Sequence, residues 1–280
     1  MISVHSLHIY PVKSLQGIDL KSARLGIRGL QYDRTWMVTD AQNKFITQRH
    51  YPKLARIQVE LTQDQMTLSH PSMDPLCVDL EDSHSDQLEA TIWDDKVKAM
   101  DEGKEASQWL TQVLGTIDGH SLKLLRYHPD HIRHVSQKHL RDEAAHTAFA
   151  DGFPFLITSV ESLGKLNEVL QNNGSQPVGM NRFRPNIVIR GVEPFGENSL
   201  DTLASNSGEY GLGIRKPCQR CHVTTIDQST GQKIEPKEPL RTLLQMDTQP
   251  GLEGAYFGQN SILLFGKDAL IQVGDQLSPS

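Results

Sequence analysis

The sequence Lys216-Pro-Cys-Gln-Arg-Cys-His-Val-Thr-Thr-Ile-Asp227 contains two of the three cysteines in this chain. These cysteines, Cys218 and Cys221, are separated by two residues and flanked by cationic side chains. Nearby positive charge favours a thiolate over a thiol, and the thiolate is the form that attacks, exchanges or binds metal. The preceding proline and the following β-branched run predict a loop that enters a strand. We therefore expect one of these sulfurs to bind a soft metal, in a site built by the rest of the chain.

The cysteine pair fits several chemistries, which the residues alone leave open. Attachment of c-type haem uses C-x-x-C-H, but the N-terminus carries no export signal and a strand-like run follows the pair. A thioredoxin-like dithiol would open a helix, which the β-branched run disfavours. A zinc site needs four nearby ligands, and the chain has no second C-x-x-C. A metal that takes only one or two protein sulfurs would need an organic cofactor to supply its other ligands. The remaining alternative is a buried, inert cysteine pair.

Length, charge and cysteine count narrow the class of protein. A chain of 280 residues predicts one large or two modest domains. The formal net charge of -6 argues against a general nucleic-acid-binding surface, because phosphate affinity needs cations. Residues 1–10 lack the cationic start and apolar run of a signal peptide, and no apolar run is long enough to cross a bilayer. The odd cysteine count does not suggest a disulfide framework and fits a reducing cytoplasm. Together, these features predict a cytoplasmic protein without a nucleic-acid or membrane partner.

Strand signals outnumber helix signals along the chain. Short alternating runs, beginning with Val4–Tyr10, are separated by frequent turns and predict strands. Helices are predicted for residues 106–114 before Gly115, residues 160–170 after a Ser159 cap, and residues 239–245. Strands and helices do not alternate regularly, which disfavours a doubly wound parallel sheet. The sequence therefore predicts a β-rich α+β fold with a few helices, either a barrel or a sandwich.

A polar, turn-rich segment at residues 115–120 predicts a domain boundary. It divides the chain into a domain of residues 1–119 and a domain of residues 120–280. The acidic segment 81–89 predicts a solvated loop in the first domain.

Four cationic side chains lie at or beside predicted strand ends: Lys13, Arg34, Arg49 and Arg184. Arginine matches phosphate oxygens in a bidentate manner, and lysine adds a point charge. If these loops converge beside a thiolate, they would suit a phosphorylated, anionic cofactor. Scattered surface charge is the alternative interpretation of each one.

Two further features have a structural alternative. Asp151 precedes an apolar strand, where it could accept hydrogen bonds from an amino-pyrimidine edge or cap a turn. His128, His131 and His134 recur every three residues, which suggests a metal site. Because Pro129 breaks any helix there, these histidines need not share a face, and we expect a solvated loop.

Six short motifs in this order resemble the MOSC family, named for the C-terminal domain of molybdenum cofactor sulfurases. The resemblance covers nearly the whole chain and is greater to the branch of mitochondrial amidoxime-reducing components and bacterial YcbX-like proteins. The motifs are Tyr10-Pro-Val-Lys-Ser14, Asp33-Arg-Thr-Trp36, Phe183-Arg-Pro-Asn-Ile-Val-Ile189, Arg220-Cys-His-Val-Thr-Thr-Ile-Asp227, Phe257-Gly-Gln259 and Val273-Gly-Asp275.

The resemblance implies a MOSC β-barrel domain, preceded by an N-terminal β-rich, barrel-like domain, and a molybdopterin cofactor. Cys221 matches the family's molybdenum ligand and Cys218 is then a neighbour without a required ligand role. The positions implied to hold the pterin and its phosphate are Lys13, Ser14, Arg34, Asp151, Arg184 and Asn186. Arg49 matches a further family arginine.

In function, the resemblance implies an oxidoreductase that reduces N-hydroxylated small molecules, such as N-hydroxylated bases and amidoximes. The alternative is a protein that carries molybdenum cofactor, or sulfur on Cys221, without turnover. Descriptions attached to the family at large also include pyridoxal phosphate binding. YcbX-like proteins often carry a C-terminal ferredoxin-type domain, whose cluster needs four cysteines, and none follows Cys221 here. We therefore expect a separate electron-donor protein of the ferredoxin or flavoprotein type, unless the chain is truncated. The membrane anchor of the mitochondrial members is not expected.

Overall fold

The computed structural model describes residues 1–81 and 86–279. Its α-helices are α1 (Gly103–Leu114), α2 (Val160–Asn172) and α3 (Leu240–Met246). Its strands, in chain order, are β1 (Ile2–Ile9), β2 (Val12–Lys13), β3 (Ile18–Leu20), β4 (Ser22–Gly26), β5 (Gly29–Leu30), β6 (Trp36–Thr39), β7 (Gln58–Leu61), β8 (Gln65–His70), β9 (Met73–Asp79), β10 (Gln87–Ile92), β11 (Asp95–Asp101), β12 (Lys123–Tyr127), β13 (Arg133–His134), β14 (His146–Thr147), β15 (Phe155–Ser159), β16 (Ile187–Arg190), β17 (Thr202–Ser205), β18 (Gly211–Gln219), β19 (Tyr256–Phe265), β20 (Leu270–Gln272) and β21 (Gln276–Pro279).

A closed barrel is the larger of the two main sheets in the described part of the chain. Its seven strands follow the order β16-β15-β19-β18-β17-β21-β1, and the pairing of β1 with β16 closes the ring. Neighbouring strands are antiparallel except β15 and β16, which are parallel. Large apolar side chains, including Phe155 and Tyr210, fill the barrel interior. The predicted β-rich fold with few helices is therefore confirmed, and the barrel is the form it takes.

Strand β1 shows how the sequence pattern produces the barrel wall. Ile2, Val4, Leu7 and Ile9 are buried, and the polar residues between them are not. The alternation slips by one residue after Val4, where a bulge shifts the register against β16. A bulge inserts one extra residue into a strand. The inward-facing positions therefore change from even-numbered residues before the bulge to odd-numbered residues after it.

A second, five-stranded sheet has the order β10-β11-β12-β6-β2. Helix α1 packs beside it, and Trp36, Trp109 and Leu110 belong to one buried cluster. A buried ion pair supports this sheet: Arg126 Nε donates to Glu102 Oε1 at 2.6 Å, and the Trp36 indole N–H donates to the same oxygen at 2.6 Å. A buried carboxylate needs such partners, because an unpaired buried charge is costly.

The two sheets exchange strands along the chain. Strand β1, from the N-terminal end, pairs with β16 and β21 in the barrel. Strand β12, at residues 123–127, pairs with β11 and β6 in the second sheet. The division at residues 119 and 120 stays a prediction, and strand pairing crosses it in both directions.

The three α-helices lie where the sequence predicts them. Helix α1 ends before Gly115, which has φ 90. The Ser159 side chain accepts a hydrogen bond from the Ser162 N–H and so caps α2, as predicted. The acidic segment 81–89 does not form one loop, because β10 begins at Gln87; its residues 82–85 lie outside those that the structure describes.

The strand predicted after Cys221 is wrong. Strand β18 ends at Gln219, and His222–Thr225 form a 3-10 turn. The hydroxyl of Thr224 donates to the Cys221 carbonyl at 2.9 Å, and that of Thr225 donates to the His222 carbonyl at 2.8 Å. Threonine hydroxyls that bond nearby carbonyls offer the backbone an alternative to a strand ladder. The β-branched run therefore supports a turn that directs Cys221 towards the second sheet's loops.

Gly258, in the sequence Phe257-Gly-Gln259, is required where β19 passes β15. It has φ 78, and a Cβ at this position would lie 2.7 Å from the carbonyl oxygen of Ile157. Only glycine avoids both the left-handed strain and the collision.

Candidate functional site

One cavity contains all eight residues that the sequence analysis selects as site residues. Its volume is about 140 Å³, and it opens to solvent. Loops of both sheets contribute to its wall. The predicted residues that line it are Lys13, Ser14, Arg34, Arg49, Asp151, Arg184, Asn186 and Cys221. Their roles stay predictions, but the structure brings them together from distant parts of the chain.

Two sulfurs lie in this cavity, and each accepts a hydrogen bond from an arginine. Arg49 Nη2 donates to Cys221 Sγ at 3.3 Å, and Arg220 Nη1 donates to Cys218 Sγ at 2.8 Å. Both cysteines are free thiols and partly exposed. Neither sulfur is therefore an inert core group, since each is reachable from the cavity and placed beside positive charge.

Lys13 and Asp151 form an ion pair, with 2.5 Å between Nζ and Oδ1. The Asp151 side chain is 66% exposed because it opens into the cavity. Enclosure by the surrounding protein raises the pKa of this carboxyl, but the charge and hydrogen bond of Lys13, with Arg49 and Arg34, lower it by more. The net pKa is well below the usual range. Burial lowers the pKa of Lys13 in spite of the opposing effect of Asp151.

The loop that presents Asp151 is fixed by a buried arginine, Arg133. Its Nη1 donates to the carbonyls of Ala148 at 3.0 Å and Ala150 at 2.6 Å, and its Nη2 donates to the carbonyl of Asp151 at 3.2 Å. Its Nε also pairs with Asp95 at 2.6 Å. Arg133 therefore satisfies loop carbonyls that would otherwise be buried without partners.

The Tyr10 ring contacts both of the arginines predicted to bind phosphate. The guanidinium carbons of Arg34 and Arg184 lie 4.3 Å and 4.1 Å from the centre of the Tyr10 ring. Cations are attracted to an aromatic ring at such distances. Burial, and then Arg34, lower the pKa of Arg184 to about 10, which leaves its guanidinium charged at neutral pH. Burial raises the pKa of Tyr10 to about 12 against the opposing charges of both arginines.

Three of the predicted cofactor-binding residues have left-handed backbone conformations: φ is 70 at Ser14, 46 at Arg34 and 54 at Arg184. Non-glycine residues rarely adopt this region, and such strain clusters at functional sites. Surrounding bonds hold it in place. Gln48 Nε2 donates to the Ser14 carbonyl at 2.7 Å, and Arg34 Nη2 donates to the Arg184 carbonyl at 3.1 Å.

Asn186 lines the cavity, but its amide is largely occupied by structural bonds. Its Oδ1 accepts from the Leu156 N–H at 3.2 Å, and its Nδ2 donates to the His8 carbonyl at 3.2 Å. The side chain is 2% exposed. Asn186 therefore joins β1 to β15 beside the cavity and has one N–H left for a ligand.

The charge and donor set of the cavity suit an anionic group with a soft metal. Five lining residues are cationic and one is acidic, although the whole chain has a formal net charge of -6. Arg220 Nε is buried without a hydrogen-bond partner among the described residues, so one donor of the wall is unused. A phosphorylated cofactor that supplies sulfur ligands would neutralise these cations and use a thiolate for its metal.

Two family matches cover most of the chain. Residues 1–117 match the MOSC N-terminal beta barrel domain, and residues 144–278 match the MOSC domain. Mitochondrial amidoxime reducing component 2 of Bos taurus is 32% identical, over 86% of this chain and 71% of that protein. The chain belongs to the MOSC family.

The relatives of this MOSC chain are named either as amidoxime-reducing components or as molybdenum cofactor sulfurases. Mitochondrial amidoxime-reducing component 1 of Mus musculus is 30% identical, over 98% of this chain and 81% of that protein. Molybdenum cofactor sulfurase of Bos taurus is 28% identical over 99% of this chain, which spans 32% of the sulfurase. The chain therefore matches most of the first protein but about a third of the second.

No helix among the described residues has both the length and the apolar character needed to cross a membrane.

Sequence reasoning missed two residues of the MOSC cavity that make notable contacts, Trp93 and Arg220. Trp93 lines the cavity from the turn between β10 and β11, more than 100 residues before Cys218 and Cys221 in the sequence. Arg220 lies inside the cysteine motif, where the sequence indicated only a flanking charge. The sequence analysis made no prediction for Trp93; the available signal was a large aromatic residue directly before Asp94-Asp95, between two alternating runs.

The predicted histidine loop does not form a metal site. Within the described residues no group of three or more potential ligands is arranged to hold a metal ion. His128 is buried, and its Nδ1 accepts from the Asp130 N–H at 3.2 Å. The rings of His131 and Tyr127 are in contact, with centroids 5.6 Å apart. His134 pairs with His146 across a two-stranded ladder. The histidines are therefore divided between separate structural contacts, and the expected solvated loop is wrong for His128, which is buried, and for His134, which lies on β13.

Proposed function

We propose that this protein is a molybdenum-cofactor-dependent oxidoreductase that reduces N-hydroxylated compounds, such as amidoximes and N-hydroxylated bases. The observation that carries the proposal is the position of the Cys221 sulfur in a cavity where five lining residues are cationic and one is acidic. The names of the amidoxime-reducing relatives support the choice of reaction. The overall conversion takes R–NH–OH, two electrons and two protons to R–NH₂ and water.

In this proposal, each residue of the cavity has a limited task. Cys221 supplies one sulfur to the metal, because the dithiolene of the cofactor already supplies two. Arg49 holds that sulfur through the bond from Nη2. Lys13, Arg34 and Arg184 bind the phosphate and exclude competing cations. When bound, the cofactor supplies the two-electron reduction of the N–O bond.

The electrons come, in this proposal, from a separate protein of the ferredoxin or flavoprotein type. An iron–sulfur cluster of the ferredoxin type needs four cysteine ligands. Two of the three cysteines in these 280 residues line the proposed molybdenum cavity, so these residues do not themselves hold such a cluster. The small-molecule substrate and this donor protein are the partners that the proposal requires, in the cytoplasm.

The experiment compares wild type with Cys221→Ser and Cys77→Ser, each purified from cells that make the cofactor. Cys77 is exposed on β9 and does not line the cavity, so it is the matched control. We expect about one molybdenum per wild-type and Cys77→Ser chain, and reduction of benzamidoxime by both when a chemical reductant is added. Cys221→Ser should lose at least tenfold in turnover. Wild type without molybdenum, or full turnover by Cys221→Ser, would contradict the proposal.

A carrier protein for molybdenum cofactor or sulfur is the second candidate. The presence of the Cys218 sulfur in the same cavity favours it, because a second sulfur is not needed for a single metal ligand. The relatives named sulfurase also support it. The two candidates differ in one measurement: a loaded carrier gives no amidine from benzamidoxime with excess reductant, whereas a reductase does.

A further inference from the structure

Trp93 occupies a backbone position that is unfavourable for a tryptophan. Strands β10 and β11 pair up to Ile92 and Asp95, so a two-residue turn, Trp93 and Asp94, joins them. Trp93 has φ 54. Two-residue hairpin turns favour asparagine or glycine where φ is positive, and a bulky residue there is strained. The strain indicates that the indole has a role that the turn itself does not require.

The indole of Trp93 is fixed in the cavity by three contacts. Its ring centre lies 4.6 Å from the Arg49 guanidinium carbon and 4.9 Å from the centre of the Phe45 ring. Its N–H donates to Asp151 Oδ1 at 3.3 Å. Trp93 is nevertheless 39% exposed. A rigidly held aromatic surface is therefore available to a molecule that enters the cavity.

These contacts connect the indole to the proposed reaction centre. The Arg49 guanidinium lies over the indole and donates to Cys221 Sγ at 3.3 Å. Asp151 Oδ1 accepts hydrogen bonds from both Lys13 Nζ and the Trp93 indole N–H. No donor among the described residues contacts Asp151 Oδ2. A planar molecule stacked on Trp93 would therefore lie beside Asp151 Oδ2. Arg49 would connect its stacking surface to Cys221 Sγ.

We propose that Trp93 is the platform that selects substrates, by stacking the planar, conjugated part of an N-hydroxylated base or aryl amidoxime. Asp151 Oδ2 then accepts a hydrogen bond from the amino group beside the N–OH, a role that replaces the pterin contact that the family resemblance implies for Asp151. Saturated hydroxylamines lack the π face and gain nothing from the indole. This inference rests on the function proposed above and assigns its selectivity to a residue of the second sheet rather than to the barrel.

The first test compares kcat/KM for benzamidoxime with kcat/KM for cyclohexylhydroxylamine in wild type, Trp93→Phe and Trp93→Asn. Asparagine tolerates the left-handed turn but removes the ring. We expect Trp93→Asn to lower the planar-to-saturated ratio about tenfold, mainly through KM, which corresponds to 1.4 kcal/mol of stacking. Trp93→Phe should keep most of the ratio. Molybdenum content is measured in each variant. An equal loss for both substrates, or an unchanged ratio in Trp93→Asn, would overturn the inference.

The second test needs no turnover and separates this inference from the proposed function. Trp36 and Trp109 are buried, so added benzamidoxime reaches only Trp93. We expect saturable quenching of tryptophan fluorescence by benzamidoxime in wild type, none in Trp93→Phe, and none with cyclohexylhydroxylamine. Quenching without any turnover would support the platform and reject the reductase. Equal quenching in wild type and Trp93→Phe, or no quenching in either, would reject the platform even if turnover is present.

Discussion

Individual residues of the site combine a predictable chemistry with an unpredictable conformation. The positions of Arg34 and Arg184 beside strand ends are readable from the sequence, because β-branched and aromatic runs follow them. Their left-handed φ values cannot be predicted from the sequence, because arginine has no preference for that region. The conformation is imposed by long-range bonds, such as that from Arg184 Nη1 to the Leu15 carbonyl at 2.7 Å.

A buried carboxylate away from the cavity, that of Glu197, predicts a pH dependence of stability. Its Oε2 accepts from the hydroxyls of Ser159 at 2.9 Å and Ser162 at 2.7 Å, and its Oε1 has no partner among the described residues. Burial raises the pKa of Glu197 in the folded protein, although the serine hydrogen bonds oppose it. The stability that this group contributes is therefore complete below the unfolded pKa of about 4.3 and is lost as the pH rises through the folded value.

Glu197→Gln removes this loss because glutamine stays neutral. We expect the variant to gain stability relative to wild type as the pH rises, so that the difference in unfolding free energy (variant minus wild type) from urea titration is more positive at pH 8 than at pH 5. Glu193→Gln is the matched control for the substitution itself, since Glu193 is exposed in the same loop. If the difference in unfolding free energy between Glu197→Gln and wild type is the same at both pH values, or smaller at pH 8, the buried carboxyl does not titrate between pH 5 and pH 8.

Elements of secondary structure were predictable where side-chain spacing and a cap agree. Helix α2 has both, with Leu166 and Leu170 buried on one face and Ser159 as its cap. The run Val223–Ile226 has β propensity but no strand to pair with, and its threonines form the 3-10 turn instead. Propensity for strands reflects fit to a neighbouring strand, so it fails where no neighbour is available.

The contact of β19 with β15 predicts a large effect of a small substitution. Gly258 and Gly119 have the same φ of 78, but a Cβ at Gly119 meets nothing within 4 Å, whereas at Gly258 it lies 2.7 Å from a backbone oxygen. Gly119→Ala should lose about 1–2 kcal/mol of unfolding free energy from the left-handed conformation alone. Gly258→Ala should lose about 1–3 kcal/mol more, because the strands must move apart. Chemical denaturation of both variants measures the difference. Equal losses would mean that the barrel relaxes without cost.

The whole molecule depends on strand exchange between its two sheets. The barrel is closed by β1, whose pairings to β16 and β21 join opposite ends of the chain. The second sheet is completed by β12, which lies beyond the predicted boundary. The cavity lies where loops of both sheets meet, so its charge is a property of the assembled molecule.

Strand exchange predicts that a chain divided at residue 119 fails to fold as two independent parts. Residues 120–280 alone lack β1, so the barrel has two unpaired edges; residues 1–119 lack β12, so β11 and β6 lose their common neighbour. We expect both fragments to unfold without a cooperative transition, and co-expression to restore one. Residues 1–128 are the matched control, because they include β12 and should be more ordered than residues 1–119. Circular dichroism during urea titration measures this. Cooperative unfolding of residues 120–280 alone would support an independent domain.

The sequence by itself determined the β-rich class and the positions of the three α-helices, and together with the family resemblance it singled out the residues, from Lys13 to Cys221, whose roles in the site stay predictions. These follow from side-chain period, capping and residue chemistry, which are local or carried by short motifs. Only the tertiary structure decided that the barrel closes through β1, that Cys221 lies on a turn beside Arg49, and that Trp93 enters the cavity. Each of these depends on contacts between residues far apart in the chain, and such contacts leave no periodic signal in the sequence around either partner.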